Sequence, residues 1–433
     1  MELKQMNGVL RVHATLKEEL GFVSEPDQDI QPYIDYLSTA WPGRGEKIDF
    51  LRIFLEVIEN LKGGKTTIQH YMEQLVVDPH HFYFCETVAG SPTRVTSVTD
   101  TVLLVIGTWL LSQSYFIPER QHRRRIVDAY CRSTKQEYSE ATAFSRTVSD
   151  LINSSGLLPS AGETGSRAGE SGEHFAAAAA AEGSLAEREE DPFFLHASVG
   201  LLEAFSIPPE RLNAVKLAAY GGVKILWTNN IMRHLLLTHH ADTHYLELFA
   251  LPCAIQGGAE RVLSTTGISL DLIDEIESSY ATLFNPQQPS RSHRFLLGLP
   301  GLWRWCWCLH CSSSRLQNQL LETLKKKSTH GEKRRRRWRY QGLDGHGVVH
   351  DPQLGRLMQR EAPDWDPMEY KHLWPRILAL DAYLQRARPW NLWVLFRDKR
   401  ETLQYWTFLF GSVILILTVV QVALSIAQVV GTF

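Results

Sequence analysis

The last 28 residues of the chain, Trp406 to Phe433, contain no charged side chain, and this feature constrains the fold more than any other. At about 1.5 Å per residue, the stretch from Trp406 to Val430 would form a helix of about 37 Å. Roughly 20 apolar residues are enough to cross a bilayer core about 30 Å thick. A buried helix of a soluble domain is usually shorter and carries a polar face. The sequence therefore predicts a transmembrane helix over residues 406–430.

The charges around this segment predict its orientation. Arg397, Lys399 and Arg400 precede it, and no charged residue follows it. Because positive residues stay on the cytoplasmic side, we expect a cytosolic body and a lumenal C-terminus, with an endomembrane favoured. The N-terminal residues have no apolar core typical of a signal peptide, so insertion as a tail-anchored protein is expected.

A basic region lies just upstream of the predicted span. Residues 313–400 contain 19 Lys or Arg and 10 Asp or Glu, whereas residues 1–312 contain 26 and 37. Anionic cytoplasmic lipid attracts such a region. We expect lipid binding by Arg334, Arg335, Arg336 and Arg337, with a solvated basic linker as the alternative. A nucleic-acid patch is disfavoured because a membrane span follows, so no nucleic-acid partner is expected.

Hydrophobic periodicity indicates the fold class. Apolar residues recur at helical spacing from Ile48 to Ile58 and from Leu270 to Leu283, and no run of alternating strands is present. The apolar stretch Thr101–Ile117 is short for a span and suits a buried core helix better, although a second span stays an alternative. Residues 212–237 are apolar enough for a buried helix pair. The predicted fold is all-α, a helical cytosolic body with a single C-terminal transmembrane helix.

Two segments with a different composition divide the body. Gly, Ser, Ala and Glu dominate the first, which predicts a flexible linker, and basic residues dominate the second. The predicted organisation is a helical region at 1–152, the low-complexity linker at 153–192, a helical region at 193–311, the basic linker at 312–352, Trp-rich juxtamembrane helices at 353–405 and the span at 406–430.

The densest set of candidate metal ligands lies between His239 and Glu247. On a helix, His240, His244 and Glu247 would share one face, as ligation by imidazole and carboxylate requires. Ala241 occupies the place of the catalytic Glu of a zinc protease, so that chemistry is not expected. A solvated polar turn is the alternative interpretation.

Three cysteines follow one another closely at Cys306, Cys308 and Cys311, next to Trp305 and Trp307. Thiols beside membrane-seeking aromatic residues are acceptors for S-palmitoylation, which would dock this segment on the bilayer together with the basic region. Buried thiols without a special role and a compressed zinc site are the alternatives.

Uncharged polar residues form a stripe within the predicted span. Thr418, Gln421, Ser425 and Gln428 recur at helical spacing, and polar side chains in hydrocarbon favour interhelical hydrogen bonds. The stripe predicts a homo-oligomer formed through the transmembrane helix. Simple tolerance of uncharged polar residues in a single span is the alternative.

Several stretches together resemble a family of uncharacterised proteins from filamentous fungi. The resemblance implies a mainly helical, C-terminally membrane-anchored protein and no particular activity. The residues that carry it are Asp100–Leu111, Leu212–Ala214, Trp227–Asn230, Arg233–Leu237, Leu246–Cys253, Arg397–Arg400 and Trp406–Phe408 with the span.

The predicted function is that of a membrane-anchored scaffold or regulatory protein that binds partners or lipid. The alternative is a membrane-bound, metal-dependent enzyme, for example of fungal secondary metabolism, using the cluster between His239 and Glu247. No serine nucleophile elbow, kinase motif or dinucleotide fingerprint is present, and no cofactor is predicted.

Overall fold

The computed structural model describes the body of the protein and its C-terminal helix. The described residues are mainly helical, as predicted, but a small three-stranded sheet lies among them, so the fold is not all-α. The described residues are 20, 30–40, 47–77, 94–118, 123–159, 206–240, 243–256, 259–285, 308–329, 349–387 and 402–431.

Eight helices lie between residues 31 and 155 in the described part of the chain. The predicted stripe beginning at Ile48 lies on α2 (Lys47–Leu61), where Leu51, Phe54 and Ile58 are buried. Gly64, with a φ of 63°, follows the end of this helix. The helices are α1 Gln31–Ala40, α2 Lys47–Leu61, α3 Ile68–Val77, α4 Arg94–Trp109, α5 Gln113–Phe116, α6 Arg125–Ser133, α7 Glu140–Phe144 and α8 Val148–Ser155.

Helix α4 is the central helix of this N-terminal half. Its residues from Val102 to Trp109 are buried, which confirms the prediction of a core helix in this stretch. Gly107 allows α4 to pack closely against α5, because a Cβ on residue 107 would lie 2.9 Å from the Cβ of Phe116. The chain turns back into α5 directly after α4 through Leu111, whose φ is 51°.

The sheet occupies the middle of the chain and corrects the prediction of a buried helix pair over residues 212–237. Only the short α9 (Ala214–Ala219) is α-helical there, and the strands are β1 (Lys224–Thr228), β2 (Leu236–His240) and β3 (Thr243–Phe249). The order is β1-β3-β2, with β1 parallel and β2 antiparallel to β3. The apolar and β-branched residues of this stretch suit a half-buried strand as well as a helix, so composition alone did not distinguish the two.

Long-range hydrogen bonds join the segments before and after the sheet to the C-terminal part of the body. The Trp365 indole donates to the Leu212 carbonyl at 3.0 Å, and Asp351 accepts the Cys253 amide at 2.7 Å. Helix α11 (Leu270–Phe284) carries the predicted apolar stripe and ends just before Asn285. These helices are α10 Ala259–Ser264, α11 Leu270–Phe284, α12 Leu309–Thr329, α13 Pro352–Gln359 and α14 Trp374–Arg386.

The N-terminal helices and the sheet share one hydrophobic core. Between them, the Ile231 amide donates to the Leu111 carbonyl at 2.9 Å, and the Asn230 side-chain amide donates to Ser114 Oγ at 3.1 Å. The residues on both sides of 160–205 are therefore in direct contact.

Both predicted linkers begin with helical residues. Helix α8 continues to Ser155, so the first residues of the predicted linker 153–192 belong to the folded body. Helix α12 continues to Thr329, so the basic linker predicted from residue 312 is helical over its first part. Residues 160–192 and 330–348 of these predictions lie outside the described residues.

Candidate functional site

The C-terminal helix α15 (Thr402–Gly431) presents a large apolar surface to its surroundings. A stretch of 19 residues, Phe410–Gln428, has a mean hydropathy of 2.3, and none of it is buried. Among the described residues it is the one helix long and apolar enough to cross a membrane. The coarse prediction of a C-terminal membrane-spanning candidate is therefore confirmed.

The polar stripe on α15 divides into two chemically different pairs. Thr418 Oγ1 donates to the Ile414 carbonyl at 2.8 Å, and Ser425 Oγ donates to the Gln421 carbonyl at 2.9 Å. Both hydroxyl donors are thus used within their own helix. The side chains of Gln421 and Gln428 end in amides, which can both donate and accept hydrogen bonds, and both are exposed.

The prediction that His240, His244 and Glu247 share one helical face is wrong, because β2 and β3 form an antiparallel hairpin here. His239, not His240, lies directly opposite His244, and side chains alternate between the two faces of a strand. His240 and His244 therefore lie on opposite faces. Within the described parts of the chain, no group of three or more His, Cys, Asp or Glu is placed to hold a metal ion.

Glu247 serves a different purpose, as the partner of Arg233 in a buried ion pair. The Arg233 guanidinium donates from Nε to Oε2 at 2.5 Å and from Nη2 to Oε1, and both side chains are almost fully buried. Thr238 Oγ1 donates to the same carboxylate at 3.2 Å. The pair fixes the Ile231–Arg233 turn to β3, which indicates a structural role for Glu247.

His234 and Ser279 form a buried contact that resembles a nucleophile with its base. The His234 Nδ1 accepts the Phe249 amide at 3.2 Å, so Nε2 carries the proton and donates to Ser279 Oγ at 2.7 Å. Ser279 in turn donates to the Ile276 carbonyl at 2.7 Å. With its proton on Nε2, His234 cannot take one from Ser279, so the contact is structural.

Burial, and then the nearby positive charge of Arg376, lower the pKa of His234 from 6.5 to about 3. Arg376 lies close because its guanidinium donates to the His234 carbonyl at 2.5 Å and to the Met232 carbonyl at 2.8 Å. His234 is therefore neutral at physiological pH, and it holds β3 against α11 in this state.

An open groove of about 730 Å³ lies between α11 and residues 360–371. Its lining includes Asp271, Asp274 and Glu369, but the most buried carboxylate, Glu275, accepts the backbone amides of His372 at 2.9 Å and Leu373 at 2.7 Å. Burial raises the pKa of Glu275 while these hydrogen bonds oppose the rise. The groove is acidic, and Glu275 there acts as an anchor for the start of α14.

The cysteine cluster is described in part. Cys308 is exposed immediately before α12, whereas Cys311 is buried on that helix and its amide donates to Cys308 Sγ at 3.4 Å. The exposure of Cys308 is therefore compatible with acylation, whereas burial shields the Cys311 thiol from it. Cys306 and the four arginines from Arg334 to Arg337 lie outside the described residues.

Comparisons with protein-family models, curated proteins and solved structures found no match. The resemblance to filamentous-fungal proteins stays a prediction. The functional interpretation therefore depends on the geometry of this chain alone.

Sequence reasoning missed the buried polar contacts that Arg233 makes with Glu247 and that His234 makes with Ser279 and Arg376. One signal for them exists: Arg233 and His234 stand beside the apolar run Leu235–Leu237, where charged groups must find partners if the run is buried. The partners Glu247 and Arg376 come from other elements, and no sequence spacing indicates them.

Proposed function

We propose that this protein is a membrane-anchored scaffold or regulatory protein whose helical body binds partners or lipid. The observation that carries the proposal is α15, with an exposed apolar stretch of 19 residues and a mean hydropathy of 2.3. An apolar surface of this length is costly in water and is stabilised by a bilayer. The charge bias around residues 397–400 supports a cytosolic body and a lumenal C-terminus, and an endomembrane is the proposed location.

A binding role is favoured over catalysis by what the polar side chains of the body do. Glu247 is held by Arg233, His234 is held by the Phe249 amide and Ser279, and Glu275 is held by the start of α14. Each of these groups serves the fold, which leaves them unsuited to acid–base chemistry on a substrate.

A second attachment to the membrane completes the proposal. The basic excess of residues 313–400, including Arg334–Arg337, would attract anionic headgroups on the same side of the bilayer as the body. An acyl group on Cys308 would add a further anchor. Through the polar stripe of α15, two copies of the chain would associate in the membrane.

Alkaline extraction of membranes from cells that produce the protein tests the anchor. The full chain should remain in the membrane pellet, and a chain that ends at Arg400 should be released, because only the full chain contains α15. Complete release of the full chain by alkali would contradict the proposal.

Glycosylation tests the orientation. A glycosylation sequon added after Phe433 should be modified, because the C-terminus is proposed to be lumenal. Asn153, which begins the natural sequon Asn153-Ser154-Ser155 and is exposed on α8, should stay unmodified. Glycosylation at Asn153 with an unmodified added sequon would reverse the topology and leave the anchor itself in place.

A further inference from the structure

The hairpin creates a pair of histidines that the sequence spacing does not suggest. His239 on β2 and His244 on β3 are directly opposite each other, so both side chains lie on the same face of the sheet. Their ring centroids are 4.6 Å apart, with 42° between the ring planes. The two imidazoles are therefore already adjacent in the folded chain.

Helix α14 holds one of the two rings in place. The Tyr383 ring packs against His244 with centroids 4.7 Å apart, and the Tyr383 hydroxyl donates to the Gly221 carbonyl at 2.7 Å. His244 is thereby confined between Tyr383 and His239. A histidine ring that a neighbouring side chain already holds in place loses less entropy when it binds a metal ion.

The pair is open to solute. His239 is exposed and His244 is half-buried.

We propose that His239 and His244 form a two-imidazole site for a divalent transition-metal ion, with Cu²⁺ preferred and water completing the coordination. Imidazole suits Cu²⁺, Ni²⁺ and Zn²⁺, and Cu²⁺ binds tightest in the usual order of affinities. With a metal–nitrogen distance of about 2.0 Å, each ring centre would lie roughly 3.2 Å from the ion. Two ring centres that are 4.6 Å apart then correspond to a nitrogen–metal–nitrogen angle of roughly 90°. Such an angle is that of two neighbouring ligands in tetragonal Cu²⁺.

The proposed pair differs from the ligand set predicted from sequence and goes beyond the proposed membrane-anchored role. His239 replaces His240, which lies on the other face of the hairpin, and Glu247 takes no part because Arg233 holds it. His240 is the neighbour of His239 in sequence and is also exposed. It is therefore a matched control for a nonspecific surface histidine.

Copper titration of the full chain in detergent micelles tests the site. Thiols are alkylated first, so that the exposed Cys308 does not compete. Affinity is measured by isothermal titration, and nitrogen coordination by electron paramagnetic resonance. His239→Ala and His244→Ala should each weaken this binding at least about tenfold and remove the two-nitrogen signature, since each supplies one of two protein ligands.

His240→Ala should bind Cu²⁺ as the unaltered chain does, with the same two-nitrogen signature. His244→Gln keeps a polar side chain against Tyr383 and should still lose the affinity, which separates ligation from a loss of folding. If His244 variants fail to fold, the exposed His239→Ala variant decides alone. Equal losses in the His239 and His240 variants, or unchanged binding in the His239 variant, would overturn the proposal.

Discussion

At the scale of single residues, the buried pair of Arg233 and Glu247 leads to the first prediction. Glu247→Leu leaves the Arg233 guanidinium buried without its partner, because both side chains are almost fully buried. Removing one partner of a buried pair costs about 3–5 kcal/mol. The free energy of unfolding, measured by urea denaturation, should fall by about this amount.

The exposed pair of Lys325 and Glu322, 3.9 Å apart on α12, provides the comparison. Lys325→Ala should cost at most about 1 kcal/mol, because the exposed Glu322 carboxylate keeps its hydration when its partner is removed. Replacing both members of the buried pair, in Arg233→Met with Glu247→Leu, should recover most of the stability lost in the single variant. Equal losses of unfolding free energy in the two single variants would show that burial does not make the Arg233–Glu247 pair costlier to break than an exposed pair.

The second prediction concerns the pH dependence that His234 imposes on stability. Its pKa is about 3 in the folded chain and about 6.5 when unfolded, because burial disfavours the charged ring. The unfolded chain therefore binds the extra proton first, and stability is complete above pH 6.5 and falls as the pH drops towards 3. Between pH 7 and pH 5 this residue should remove about 2 kcal/mol of unfolding free energy.

Urea unfolding at the two pH values measures this contribution. His234→Gln should lose less stability between pH 7 and pH 5 than the unaltered chain, by about 2 kcal/mol. His240→Gln, at an exposed position, should keep the slope of the unaltered chain. An identical pH slope in all three proteins would refute the assignment to His234.

The residue scale also shows what the sequence could supply and what it could not. The apolar stripe of α2 with Leu51, Phe54 and Ile58 was predictable because helical packing is periodic along the chain. The contact of His239 with His244 was not, because it depends on strand register and not on spacing along a helix. Helical periodicity grouped His240 with His244 as candidate ligands, although the two residues lie on opposite faces of the hairpin.

At the scale of elements, the polar stripe of α15 gives the third prediction. Gln421→Leu combined with Gln428→Leu should lower the amount of crosslinked dimer in membranes, because the amides that would bridge two helices are removed. Leu is more hydrophobic than Gln, so membrane insertion should not decrease. Crosslinking and alkaline extraction of the same membranes measure the two properties.

Thr418→Ala with Ser425→Ala is the informative comparison for this stripe. Both hydroxyls donate within their own helix, so their removal should leave the dimer unchanged. A dimer that survives in the double glutamine variant would place the association in the cytosolic body.

Elements also explain why the fold class was predicted only in part. The long helices α4, α11 and α15 have clear periodicity or a long apolar run, and these signals identified them. The strands have five or seven residues and pack among helices, so their short apolar runs resemble pieces of a buried helix. A sheet of this size depends on tertiary contacts, which a local pattern does not contain.

At the scale of the whole molecule, the charge asymmetry of the chain gives the fourth prediction. A chain that ends at Arg400 should bind vesicles containing anionic lipid, because residues 313–400 contain 19 basic and 10 acidic residues. Removing α15 should leave the body folded, since none of the apolar stretch of this helix is buried. Sedimentation with vesicles should show binding that weakens as salt shortens the Debye length from about 10 Å at 0.1 M to about 3 Å at 1 M.

Replacing Arg334, Arg335, Arg336 and Arg337 by Gln should weaken this binding further. Replacing Lys65, Lys135, Lys216 and Lys224 by Gln removes the same number of positive charges from outside residues 313–400 and should weaken it less. Binding to neutral vesicles with the same affinity, and without a salt effect, would assign the contact to apolar side chains.

The position of α15 soon after α14 limits how far the body can move from the membrane. Fifteen residue steps separate Ala387 from Thr402, and whatever path they take, they span at most about 50 Å. With α15 in a bilayer, the body samples a volume so small that its effective concentration at the membrane surface is in the millimolar range. A headgroup or a neighbouring membrane protein then needs only millimolar affinity to be occupied, so weak sites on this body suffice for attachment and release.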